Sequence, residues 1–188
     1  MPCYSKTFKF ANLFLFMVDI RERIEEERGI LKKIQLIIPG YEGYRRREDI
    51  RKADNLLRNQ LADKLKNARN DIEDLRRNLV YKYETKNLEK IGSLLNYFQK
   101  IDGQLRHAEH GYSGISPAIR IGEEELNKLY EFDYSMAKII AEISGETAKI
   151  KSMSEEEIPE EIERIRVMLE EFEKTFKMRM LYITGTEV

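Results

Sequence analysis

The chain has 188 residues, 36% charged and 41% hydrophobic, and its 33 basic and 34 acidic side chains leave a net charge of −1. That balance excludes a global field holding the chain on nucleic acid or an anionic membrane, so any such contact needs a local patch. One cysteine, Cys3, excludes an internal disulfide framework or thiolate metal cage, which fits a reducing cytoplasm.

In chain order, the first feature is "FANLFLFMV", Phe10 to Val18, preceded by Lys6 and Lys9. It falls well short of the roughly 20 apolar residues needed to span a bilayer. It also lacks the small-residue cleavage site of a secretory signal, since Asp19 and Arg21 follow it. Residues 1–16 are read as an N-terminal extension and 17–188 as a single helical domain. Contact with a membrane surface through Phe8 to Val18 is a minor reading.

Apolar residues then recur at helical spacing. Ile20, Ile24, Leu31, Ile34 and Ile38 form a first stripe, and Leu57, Leu61, Leu65, Ala68, Ile72, Leu75 and Leu79 a second. Further stripes run from Leu88 through Phe98 to Leu105, from Leu126 through Met136 to Ile143, and from Ile162 through Leu169 to Phe176. The spacing predicts helices over 12–36, 45–82, 86–109, 123–150 and 158–180, with no strand. The expected fold is all-α: an elongated antiparallel bundle of about five helices with coiled-coil-like packing. Leu57, Leu61, Leu65, Ile72, Leu95, Phe98, Leu129, Ile140, Leu169 and Phe172 are its predicted core. Abundant Glu, Lys and Arg without Trp hint at a thermophilic source.

The breaks carry their own chemistry. Pro39, Gly40 and Gly43 end the first helix, and Gly111, Gly114 and Pro117 interrupt the middle of the chain. Ser154 with Glu157 resembles a capping box, and Pro159 suits a first helical turn. Near Tyr83 neither Gly nor Pro marks a boundary, so the second and third helices could turn there or run on.

Catalytic patterns are scarce. "GYEGYR" has neither the spacing nor the preceding strand of a phosphate loop, and Cys3 has no histidine partner at motif spacing. His107 and His110 share a helix face, but a stable metal site needs further ligands. They are read as solvated histidines at a helix end and held as weak metal candidates. No cofactor is expected.

Two constellations stand above this background. The first is "IPGYEGYRRRED": Tyr41 and Tyr44 on a Gly-rich turn, then Arg45, Arg46 and Arg47, then Glu48, Arg51, Asp54 and Arg58 as a charge ladder. An exposed ladder is commonly a solvated face. Three arginines at the positive end of a helix dipole, however, call for an anion or an acidic partner. The second is "RHAEHGYSGI", which repeats Gly-Tyr-x-Gly around Tyr112. Asp133 follows it, where the fourth stripe expects an apolar residue. A buried carboxylate must be paired or protonated; Arg51, Arg58, Arg120 or a tyrosine hydroxyl are the candidate partners.

With these residues in view, the chain resembles a prokaryotic family of helical proteins of unassigned function. The resemblance lies in Ile38, Pro39, Gly40, Tyr41, Gly43 and Tyr44, then Glu48, Arg51, Asp54 and Arg58. It continues in Gly111, Tyr112, Gly114, Leu126, Leu129, Tyr130, Glu131, Phe132 and Asp133. It covers about Met17 to Ile143 and implies a start near Met17 but no activity.

The leading reading is a non-enzymatic cytoplasmic interaction or scaffold protein. Its contact surface comprises Tyr41, Tyr44, Arg45, Arg46, Arg47, Arg51, Arg58, Tyr112 and Asp133. Its expected partner is a protein, a second copy of the chain included, rather than nucleic acid. The alternative is a metal- or small-ligand-binding bundle enzyme centred on His107, His110 and Asp133.

Overall fold

A computed structural model describes residues 29–43, 47–79, 85–108 and 123–184. At 47–51, 85–87, 123–125 and 184 it gives the backbone course alone. The elements are α1 (29–37 within the described residues), α2 (Arg47–Leu79), α3 (Thr85–His107), α4 (Glu123–Lys149) and α5 (Ile158–Thr184), with a short 3₁₀ turn at Ile150–Ser152. The described residues contain no strand, and the fold is all-α.

Each helix follows from its stripe. The ten residues predicted for the core are all buried, from Leu57 and Phe172 at 0% exposure to Leu95 and Leu129 at 4%. At 33 residues, α2 reaches about 50 Å at 1.5 Å per residue. It stops at Leu79, and α3 lies back along it: Arg58 of α2 reaches the carbonyl oxygens of Leu105 and Ala108, and Arg106 of α3 reaches Asp63. α2 and α3 are therefore antiparallel neighbours rather than one continuous helix.

Before α5, Glu157 accepts hydrogen bonds from the Ser154 backbone N–H (2.9 Å) and hydroxyl (2.8 Å). These bonds, the backbone one first, hold the Glu157 carboxyl below its ordinary range. The carboxylate thus makes one half of the expected capping box. The reciprocal bond is replaced, because the Ser154 hydroxyl also donates to Glu157.

The packing order departs from a simple up-and-down bundle. α2 packs against α3 and α4, and α5 packs against α3 and α4. Around the bundle the order is α2, α3, α5, α4. The hairpin pairs α2/α3 and α4/α5 are antiparallel, as short connections demand. α2 and α4 run parallel instead: Asp54 and Asp133 share one level through Arg179, while Asp71 meets Lys151 at the far end. The connection from α3 to α4 thus joins helices that lie diagonally across the bundle, at one shared end.

α1 closes that end through a defined turn. The Tyr41 N–H donates to the Ile38 carbonyl (3.2 Å), with Pro39 and Gly40 between them and Gly40 at φ 80°. Pro at the second position and a positive-φ Gly at the third are what a type II turn requires. Gly43 is constrained twice. Its φ is 78°, and a Cβ there would stand 2.7 Å from the Tyr130 hydroxyl and 3.1 Å from Leu31 Cδ1.

Leu65 is fully buried in the middle of α2. Leu65→Ala removes apolar contacts from a packed interior and is expected to cost about 2–5 kcal/mol, measured by urea denaturation. A loss below about 0.5 kcal/mol, the scale of surface substitutions, would contradict this packing.

Candidate functional site

The main convergence of polar groups lies inside the bundle, at the end closed by α1. Arg179 on α5 is fully buried. Its Nε donates to Asp133 Oδ1 on α4 (2.6 Å), and its Nη1 donates to Asp54 Oδ1 on α2 (2.7 Å). Asp133 Oδ2 accepts from the Tyr41 hydroxyl (2.6 Å). Asp54 Oδ2 accepts from Arg58 Nε (2.9 Å). Arg58 Nη1 then donates to the Leu105 and Ala108 carbonyls at the end of α3 (3.0 and 3.1 Å), and Nη2 to Asn55 Oδ1 (3.0 Å).

Two guanidinium and two carboxylate groups make this chain neutral, and it touches four helices and the α1–α2 turn. The Arg58 contacts also satisfy carbonyls at a helix C-terminus, where intrahelical donors run out. Asp133 has no exposed surface, and Asp54 and Arg58 have 3% each.

The structure places the predicted site residues in three groups. Tyr41, Arg58 and Asp133 come together, but in the interior. They are removed from the contact surface expected of them and work as internal supports. The ladder is corrected in the same way: Asp54 and Arg58 do not line a solvated face, because both sit in register with Leu57, Leu61 and Leu65 and rotate into the core. Tyr44, Arg45, Arg46, Tyr112 and His110, and the side chains of Arg47 and Arg51, lie outside the described residues. His107 is exposed in the last turn of α3.

Asp133 finds a tyrosine hydroxyl, as one expectation had it, but its cationic partner is Arg179. That residue was missed although its signal was present. Arg179 continues the stripe Leu169, Phe172, Phe176 by a step of three, the same polar interruption that marked Asp133.

Asp133 gives one oxygen to Tyr41 and the other to Arg179. Among the described residues no three His, Cys, Asp or Glu side chains converge as a metal site, and no helix is long and apolar enough to cross a membrane.

A second polar node ties α5 to α3. Glu173 is 6% exposed. It receives Tyr97 Oη (2.7 Å) and Lys100 Nζ (3.0 Å) at Oε2, and Gln104 Nε2 (3.1 Å) and Lys177 Nζ (3.0 Å) at Oε1. Burial pushes the carboxyl up, but the hydrogen bonds from Lys100, Tyr97, Lys177 and Gln104 together outweigh it and hold Glu173 at about 2. Burial, then the bond to Glu173, pushes the Tyr97 phenol up. Glu173 also sits in register between Leu169 and Phe176, so it too was marked in the sequence.

No family model, curated protein or solved structure matches the chain.

Two expectations follow from these nodes. Replacing Arg179 removes the cation that joins the buried Asp133 to Asp54 and is expected to cost about 3–5 kcal/mol, whereas replacing Asp133 leaves Arg179 its second partner, Asp54, and should cost less. The double variant Asp133→Leu/Arg179→Met strands neither, leaves Asp54 with Arg58, and should lose less than the two single variants together. Additivity within about 0.5 kcal/mol in a double-mutant cycle would show the pair is uncoupled.

Glu173 has a depressed folded pKa, so its contribution to stability is complete above the ordinary carboxylate value of 4.5 and is lost as pH falls towards about 2. Wild type should therefore lose more stability than Glu173→Gln across that window. Parallel urea midpoints for the two proteins between neutral pH and pH 2 would remove the assignment.

Proposed function

We propose that this chain is a non-enzymatic, cytoplasmic interaction protein that presents a contact surface at the end of the bundle closed by α1. The observation that carries the reading is the anchoring of the Gly-Tyr turn. Tyr41 is held by Asp133, Gln35 Nε2 donates to the Tyr41 carbonyl (2.9 Å), and Gln60 Nε2 donates to the Pro39 carbonyl (2.7 Å). Pro39, Gly40 and Glu42 stay exposed between these anchors. A turn held at three points has little conformational entropy left to lose on binding, which favours recognition.

That turn leads directly into Tyr44, Arg45, Arg46 and Arg47 at the start of α2. Three guanidinium groups beside a helix N-terminus suit an acidic segment of a partner protein. α3 ends near the same level, beside Arg58, and Tyr112 follows it in the sequence. The ionic chain below supports the surface instead of reacting at it, since its groups are buried and paired with one another. The single cysteine supports the cytoplasmic assignment.

The test is affinity capture from native lysate with wild type, with a triple alanine variant of Arg45, Arg46 and Arg47, and with a matched triple alanine variant of the exposed Lys90, Lys138 and Lys174. Captured proteins should disappear with the arginine variant alone while its melting temperature stays near that of wild type. Equal capture by all three removes the arginines from the contact surface. Recovery of the chain itself as the captured protein identifies the partner as a second copy.

A further inference from the structure

A half-open cavity of about 260 Å³ lies between α2 and α3, away from the loop-end surface. Its charged walls are Asp63, Lys66 and Arg69 from α2 and Asp102 and Arg106 from α3, with the buried ring of Phe98 beneath. The acidic groups are already used. Arg106 Nη2 meets Asp63 Oδ1 at 2.8 Å, and Arg106 Nε meets Asp102 Oδ1 at 3.0 Å. Two cations remain. Among the described residues the Lys66 side chain makes no ion pair or hydrogen bond. Arg69 is one helical turn further on. Its nearest carboxylate, on Glu73, stands 4.0 Å away, beyond hydrogen-bond reach. Its Nε is buried and has no acceptor.

A buried N–H without an acceptor has lost its water and gained nothing in return. Arg69 lines this cavity together with Lys66 and Phe98. We propose that the cavity binds a small oxyanion with a compact apolar body: a phosphate monoester or a carboxylate, its charged oxygens on Arg69 and Lys66 and its body towards Phe98. The guanidinium offers a planar fork of donors, and the ammonium offers a point charge to a further oxygen. The volume lies just below the range of pockets that take drug-sized ligands, which restricts the occupant to a small molecule. This site is independent of the protein-contact surface proposed above and stands or falls separately.

The experiment is an amide-resolved NMR titration of the full chain with phenyl phosphate, benzoate and inorganic phosphate at constant ionic strength. Saturable shifts should centre on residues 66–69 and 98–102, and phenyl phosphate should bind more tightly than inorganic phosphate because it adds the apolar body. Preference for phenyl phosphate over benzoate assigns the phosphate class, and the reverse preference assigns the carboxylate class. Arg69→Gln should weaken binding about tenfold, on the scale of a hydrogen bond to a charged group. Lys66→Gln should weaken it severalfold. Arg69→Lys should fail to restore it, since an ammonium lacks the fork. Both positions are partly or fully exposed, so the variants should melt near wild type. The proposal is overturned by the absence of saturable shifts, by shifts scattered over lysines elsewhere, or by unchanged affinity in Arg69→Gln.

Discussion

The guanidinium of Arg179 is the constraint around which the bundle is arranged. It has no exposed surface, and its position in α5 demands carboxylates from two other helices. A charge in that place is costly unless its pairing is close to ideal. Asp54 and Asp133 must therefore reach the same level, and this sets α2 and α4 side by side in the same direction. An apolar residue there would pack in several registers at similar cost. A forked cation between two acids requires both carboxylates within its reach at one level.

Most of the architecture was legible in the amino-acid order. The five stripes identify the helices and their inward faces, because burial at a period of 3.6 residues leaves that imprint whatever lies opposite. What lies opposite is not in the stripe. The parallel placement of α2 and α4, and the antiparallel placement of α3 on α2, come from contacts between distant segments. Pattern reasoning sees a stripe's own helix and nothing beyond it.

The interior site was legible in part, for a related reason. Asp133 stood out as a carboxylate in an apolar register, and Arg179 and Glu173 carry the same mark in the last helix. Asp54 and Arg58 were harder, because an Asp and an Arg four apart also describe an ordinary wet helix face. Only their shared register with Leu57, Leu61 and Leu65 separates the two cases. Tyr41 was read as aromatic area offered outward. A ring beside flexible glycines is as available to the core as to a partner, and here the Asp133 carboxylate takes its hydroxyl.

The diagonal arrangement also has a temporal side. Hairpins such as α2/α3 and α4/α5 join residues close in the chain and can form as each emerges from the ribosome. The bridge between them cannot, since 125 positions separate Asp54 from Arg179. Until α5 is made, Asp54 has Arg58 and Asp133 has Tyr41, but the cation that joins the two acids is missing. A nascent chain halted before Arg179 would hold the α2/α3 hairpin and α4 without the cation that joins Asp54 to Asp133. The contact that fixes α2 against α4 is thus among the last that synthesis can supply, and the parallel pair waits on it.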